Sequence, residues 1–424
     1  MHVKAKTAAV AIAALCCVLF SACTSGITVE ELLAAPSLTA DQSSVIEAIS
    51  SSTEEKITLK YPTSGDRRAP VQFVDFDGDG ASEAVAFYSV VSGYARMGVL
   101  KKIDGEWSLV SSIEGPGTDV DSISVINLNN ANGRYLLVEW SSINSREGRL
   151  AAYHFENDEI MLGFEEACSD ILVYDADDDG YSEFCYITTG SVYDRFKIKF
   201  VDNDEGSFFV MGECQLSSQM LGLKGLSAGK LADGRRAVFV DETVSDTEIA
   251  TEVFTVQDGI LTSIKLDEGY DLFELTLRSS DMLESCALMG GDSVYLISSV
   301  TPTENVFAPA EWQYLYTVNG PEIEYCGAAC VISEYGATFL LPDSWLATTT
   351  LVRDSQQTRR FYLYDSTLDI NALTLCVLEI GEDASEYTSA GYLLAAKTGT
   401  YRYYIKGLCP EEDLNYIKAH FALL

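Results

Sequence analysis

The stretch Asp75-Phe-Asp77-Gly-Asp79-Gly80-Ala-Ser-Glu83 runs straight into the apolar segment Ala-Val-Ala-Phe-Tyr88. The chain repeats the pattern at Asp175-Ala-Asp177-Asp-Asp179-Gly180-Tyr-Ser-Glu183, which leads into Phe-Cys-Tyr-Ile187. In both copies acids hold positions one, three, five and nine, and glycine holds position six. Alternate acids in a tight loop aim their oxygens at one point, and glycine supplies the backbone freedom that such a turn requires. The apolar run that follows each loop reads as a strand.

Working outward, a polar loop ending in glycine precedes an apolar β run five times, at Gly80, Gly133, Gly180, Gly234 and Gly291, with separations of 53, 47, 54 and 57 residues. A second marker keeps step with the first. Hairpin-type turns at Asp104-Gly105, Asn157-Asp158, Asp204-Glu205-Gly206, Asp258-Gly259 and Asn319-Gly320 follow the loops by 25, 25, 26, 25 and 29 residues. Asp-Gly and Asn-Gly provide the positive φ values that tight β-turns need. Units of roughly 50 residues have room for four short strands each, the signature of propeller blades. An irregular β-sandwich would explain the turns but not the shared period.

The expected fold is therefore mainly β: a β-propeller of five or six blades over residues 57–333, followed by a small α+β domain over 334–424. Ile57-Thr-Leu-Lys-Tyr61 is placed to complete the last blade and close the ring. Ahead of it, residues 23–56 form a linker in which Leu32, Leu33, Val45, Ile46 and Ile49 suggest one or two short helices. Both markers stop after Asn319-Gly320, which puts the boundary near Ser333 to Gly336. Gly336-Ala-Thr-Phe-Leu-Leu-Pro-Asp-Ser-Trp345 resembles the opening of small α+β domains of the PsbP/Mog1 type, in which a strand ends at a Pro-x-Ser-Trp corner. Strands are expected at Phe361–Tyr364, Leu373–Leu378 and Tyr401–Ile405. Pro410 and three acids then open a helix carrying Leu414, Ile417 and Phe421 on one face.

The carboxylate loops suit a hard cation that takes six to eight oxygen ligands. An EF-hand would need Glu at the twelfth position, where Ala86 and Tyr186 stand inside apolar runs. Both loops resemble those of FG-GAP or VCBS-type propeller repeats, as in the integrin α-subunit propeller, with Glu at the ninth place where that family usually has Asp. The resemblance implies one Ca²⁺ on Asp75, Asp77, Asp79, Glu83 and the Ala81 carbonyl. A second Ca²⁺ would sit on Asp175, Asp177, Asp179, Glu183 and the Tyr181 carbonyl. The intervening loops have lost this chemistry: Asn127-Leu-Asn129-Asn-Ala-Asn132-Gly133 carries no carboxylate, and around Gly234 only Asp233 survives. The repeat region as a whole resembles secreted FG-GAP or VCBS lipoproteins of Gram-positive bacteria.

Composition narrows the function. Among 424 residues, 64 acids against 28 bases give a formal charge of −36, a field that repels nucleic acid and anionic lipid. Three histidines leave little material for histidine-based catalysis or zinc. Lys4 and Lys6 precede the apolar stretch Ala8–Phe20, too short to span a bilayer and laid out as a bacterial secretory signal. Leu19-Phe20-Ser21-Ala22-Cys23 resembles a lipoprotein signal, departing from it at Phe20; it implies that residues 1–22 are removed and Cys23 is lipidated. An ordinary cleaved signal with an incidental cysteine is the alternative. Eight further cysteines permit disulfides, while their apolar settings suit buried packing; Cys326 and Cys330 form the one close pair.

Gly225-Leu-Ser227-Ala-Gly229 matches the pattern of serine hydrolases, but a β run follows it where a helix is required. The Tyr401, Tyr403 and Tyr404 cluster suits either a sugar site or a core strand. Two functions remain. One is a non-catalytic, calcium-binding surface module, anchored to the membrane by its N-terminal lipid and presenting its loops to a protein or glycan. The other is a secreted carbohydrate-active enzyme with a carboxylate site on the propeller face.

Overall fold

Thr39 caps the first described helix, Ala40–Ser52, accepting from the backbone N–H of Gln42 while the Gln42 side chain accepts from that of Thr39. Val45 and Ile49 are its buried face. The computed structural model describes residues 38–424, except 54, 91–92, 128–133, 143–144, 146, 190–194, 205–206, 258, 268–270, 286–292 and 301–311. The signal segment, Cys23, Leu32 and Leu33 lie outside the described residues. Among the described residues no helix is long and apolar enough to cross a membrane.

The fold is mainly β, with six antiparallel sheets and a few helices among the described residues. The first sheet runs Val71–Val74, Glu83–Ser89, Arg96–Ile103 and Glu106–Glu114 in chain order. The second runs Asp119–Ile126, Tyr135–Ser141, Gly148–Glu156 and Glu159–Cys168. The third is Asp170–Tyr174, Glu183–Thr188, Lys197–Asp204 and Ser207–Gln215, and the fourth Gly222–Lys230, Arg236–Ser245, Glu248–Gln257 and Ile260–Ser263. In all four, the polar loop joins the first strand to the second and the tight turn joins the third to the fourth, which is why the two sequence markers hold a fixed offset. The turns have the backbone their residues dictate: Asp104 and Gly105 have φ of 55° and 89°, Asn157 and Asp158 of 53° and 62°.

Alternate residues of each second strand bury opposite faces, so the sheets stack in sequence order. Val85, Phe87, Met97 and Val99 pack against Val138, Trp140 and Tyr153 of the second sheet. On the other face, Tyr135, Leu137 and Leu150 meet Phe184, Tyr186 and Val201 of the third. Cys185, Ile187 and Phe200 then meet Val238, Val240 and Phe254 of the fourth. The outer face of the first sheet, with Ala84, Ala86 and Leu100, is covered by Val45 and Ile49 of the helix.

Three expectations change. Thr58–Leu59 does not join the last sheet: it pairs with Ser89 and Tyr88 of the first, beside the strand that follows it in the chain. The boundary expected at residue 334 falls within the fifth sheet, Leu296–Ser298, Trp312–Asn319, Glu322–Ile332, Ala337–Leu341 and Phe421–Leu423. There a single 3₁₀ turn, Ser333–Tyr335, with Gly336 at φ 59°, links two paired strands. One buried cluster continues from Phe239 through Trp312 and Phe339 to Leu375, Tyr403 and Ile417, so the last ninety or so residues share their core with what precedes them. Finally, the C-terminal helix Glu411–Ala419 buries Ile417 but ends before Phe421, which pairs with Phe339 in the fifth sheet. The sixth sheet holds Thr349–Arg353, Arg360–Asp365, Ile370–Glu379, Leu393–Lys397 and Tyr401–Gly407, covering the three strands expected there.

Candidate metal centre

In the first loop Phe76 N–H donates to Glu83 Oε2 at 2.7 Å, drawing the ninth residue back under the turn. Asp79 N–H donates to Asp77 Oδ1, Gly80 N–H to Asp75 Oδ1 and Ala81 N–H to Asp79 Oδ1, at 3.1, 3.2 and 2.7 Å. The third loop repeats this pattern. Ala176 N–H donates to Glu183 Oε2, Asp179 N–H to Asp177, Gly180 N–H to Asp175 and Tyr181 N–H to Asp179, at 2.7, 3.2, 3.1 and 2.8 Å. Gly80 and Gly180 sit at φ of 90° and 89°, a conformation that side chains resist. The fourth position is also left-handed: Gly78 has φ of 75° and Asp178 of 65°, the latter held by Arg236 and Lys230.

Oxygens of Asp75, Asp77 and Glu83 lie within 4.8 Å of one another, and so do those of Asp175, Asp177 and Glu183. That is the span of ligands around one hard cation, whose oxygen contacts are about 2.3–2.6 Å. Asp79 and Asp179 are exposed and stand outside these trios, each holding the N–H of residue 81 or 181 instead. Ala81 and Tyr181 are exposed at the loop crest.

The electrostatics of the two loops differ. Lys101 reaches into the first, its Nζ 2.8 Å from Asp77 Oδ2 and 2.8 Å from Asp158 Oδ1 in the turn of the second sheet. Burial works against ionisation of Asp77, but the hydrogen bond from Lys101 holds its carboxyl below the ordinary value. In the third loop Asp177 is more exposed than Asp77, and its slight desolvation together with the neighbouring Asp179 pushes its carboxyl up. Burial raises Glu83, and pushes Glu183 up to about 7 with help from Asp177, Asp179 and Asp202. Ala84 pairs with Leu100, and Phe184 with Val201, so Asp202 holds the position in the third sheet that Lys101 holds in the first. A cavity of about 170 Å³ remains there, lined by Asp177, Glu183, Asp202 and Gly259 of the next sheet's turn. Asp175 Oδ1 is buried with no hydrogen-bond partner among the described residues. An orphaned carboxylate oxygen beside two more carboxylates is a donor set fitted to a hard cation such as Ca²⁺.

The fourth loop carries no such trio. Asp233 there accepts from Arg235 and from Gly320 N–H in the turn of the fifth sheet, at 2.6 and 2.8 Å, and the Arg235 contact holds its carboxyl down at about 2. In the second loop Asn127 is described and its carbonyl accepts from Ser182 N–H at 3.1 Å; Asn129, Asn132 and Gly133 lie outside the described residues.

Sequence reading missed Lys101, Asp202 and Arg235. The available signal was position: Lys101 and Asp202 each stand four residues ahead of the turn glycine, Gly105 or Gly206. Other candidates have structural roles. Ser227 lies in the middle of strand Gly222–Lys230 with its Oγ on the Ser285 carbonyl, so no nucleophile elbow exists. His154 packs against Tyr135 in its strand, with ring centroids 5.1 Å apart. Tyr403 and Tyr404 are buried and Tyr401 packs on Tyr335, a core arrangement. Cys326 is exposed, whereas Cys330 and Cys185 are fully buried. Compared with models of known families and with curated proteins, the chain matches none.

Proposed function

We propose that the protein is a calcium-stabilised surface module without catalytic activity, lipid-anchored through Cys23 to a bacterial cell membrane. In this reading the first five sheets are FG-GAP or VCBS-type propeller blades that present their loops to a protein or glycan partner. Support comes from four consecutive sheets with the same strand order and the same placement of loop and turn. The observation that carries the calcium assignment is the pair of matching loops, each gathering three carboxylates within 4.8 Å. Left without a cation, such trios repel themselves. The metal's part is to neutralise the loops and fix the strands they join.

Removing calcium with a chelator should lower the melting temperature. A cation a hundredfold above its Kd adds about 2.7 kcal/mol per site when it binds the folded state alone. An unchanged melting temperature between chelator and millimolar calcium would contradict the assignment. Replacing Cys23 with Ser should release the protein from the membrane fraction, and continued retention would refute the lipid anchor. For the enzyme reading, an acidic groove among the described residues is that of about 660 Å³ lined by Asp41, Glu47, Glu106 and Trp107 between the helix and the first sheet. Asp41 there is paired with Lys102 at 3.3 Å.

A further inference from the structure

We propose that Lys101 determines which loop takes the free cation: its ammonium acts as a tethered cation in the first loop, which leaves the third loop as the high-affinity site. This rests on the calcium reading above and sharpens it.

The two loops share their hydrogen bonds, their glycine at position six and their carboxylate trio, and differ at the exposed fourth position, Gly78 or Asp178, where Lys230 and Arg236 balance the added carboxylate. The unbalanced difference lies one strand away, at matching positions of the third strand, where the first sheet has Lys101 and the third has Asp202.

The first, third and fourth loops each face the tight turn of the following sheet. Between the first and second sheets that junction is filled by the Lys101 ammonium, which links Asp77 to Asp158. Between the fourth and fifth it is filled by the Arg235 guanidinium, which links Asp233 to the Gly320 carbonyl. Between the third and fourth, Asp177, Glu183, Asp202 and Gly259 line a cavity of about 170 Å³. Two junctions are thus neutralised by a cation bonded to the loop's own aspartate, Asp77 or Asp233, while at the third Lys230 and Arg236 are held on the exposed Asp178 and the residue matching Lys101 adds negative charge.

A dication entering the first loop must displace an ammonium that is bonded to one of its ligands, and then remain beside that positive charge. A dication entering the third loop meets an additional carboxylate instead. Even with strong screening by water, a unit charge of either sign a few ångströms from a dication changes affinity by about tenfold or more.

The test is a calorimetric titration of the full chain with calcium alone, comparing wild type with Lys101→Met and Asp202→Lys. Wild type should show one tight step and a second at least about tenfold weaker. Lys101→Met should strengthen the weak step by about tenfold, and Asp202→Lys should weaken the tight one by a similar factor. Two steps whose affinities are unmoved by both substitutions would overturn the inference and leave the calcium reading standing. No calcium uptake by any of the three proteins at millimolar concentration would overturn both. Because the two substitutions act in opposite directions, misfolding of one variant leaves the other to decide.

Discussion

The first and third carboxylate loops are nearly the same object placed in two electrostatic settings. Both are closed by a buried ninth-position glutamate, Glu83 or Glu183, and both turn through a left-handed glycine. Around the first, Lys101 supplies a cation from the neighbouring strand; around the third, Asp202 supplies another anion. A ligand motif therefore fixes the geometry of a site, while residues outside the motif fix how much it needs a metal. Asp233 in the fourth loop extends the series, since its charge is fully engaged by Arg235 and Gly320 N–H and nothing is left for an ion.

The largest effects should come from the buried glutamates. Glu83→Ala and Glu183→Ala each strand a backbone N–H, of Phe76 or Ala176, and should cost about 1–3 kcal/mol in calcium-free buffer. With calcium added, the deficit of Glu183→Ala should grow more than that of Glu83→Ala, as read by chemical denaturation. Equal growth would remove the distinction between the loops.

Substitutions at the third position should differ in sign. Without calcium, Asp77→Asn removes the partner of Lys101 and should destabilise by roughly 0.2–1 kcal/mol. Asp177→Asn relieves repulsion from Asp179, Asp175 and Asp202, and should raise calcium-free stability by a similarly small amount while abolishing much of the calcium response. Loss of stability in both variants would show that Lys101 and Asp202 do not set the loops apart.

The fourth loop gives a pH control. Asp233 is held at about 2 from an ordinary 3.8, so its contribution is fully present above 3.8 and is lost as pH falls through about 2. Asp233→Asn should flatten that acid limb of a stability profile without altering the calcium response. The smallest effect is expected at Asn129, whose replacement should leave the calcium response unchanged.

Much of this arrangement was legible in the sequence because it is local. Turn chemistry at Asp104-Gly105 and Asn157-Asp158, and apolar runs such as Tyr135–Val138, are set within a few residues, and the two markers reported a repeated topology directly. The carboxylate trios were legible for the same reason. What escaped depended on pairing across the chain. Thr58–Leu59 could serve any free strand edge, and its real partner, Tyr88–Ser89, is chosen by tertiary packing. Phe421 continues a helical apolar pattern in sequence, yet it is drawn into a strand beside Ala337–Leu341. Lys101 and Asp202 join the loops only through strand register, and a period-two pattern does not reveal that register to a reader of one strand.

The central claim, that these loops are calcium sites and the third is the stronger, is tested most directly by crystals of the protein grown with a limiting amount of calcium and measured for anomalous scattering. A peak held by Asp175, Asp177 and Glu183 is expected, with a weaker peak or none beside Asp77 and Lys101. Saturating calcium with no peak in either loop, or a peak in the first loop alone, would contradict it.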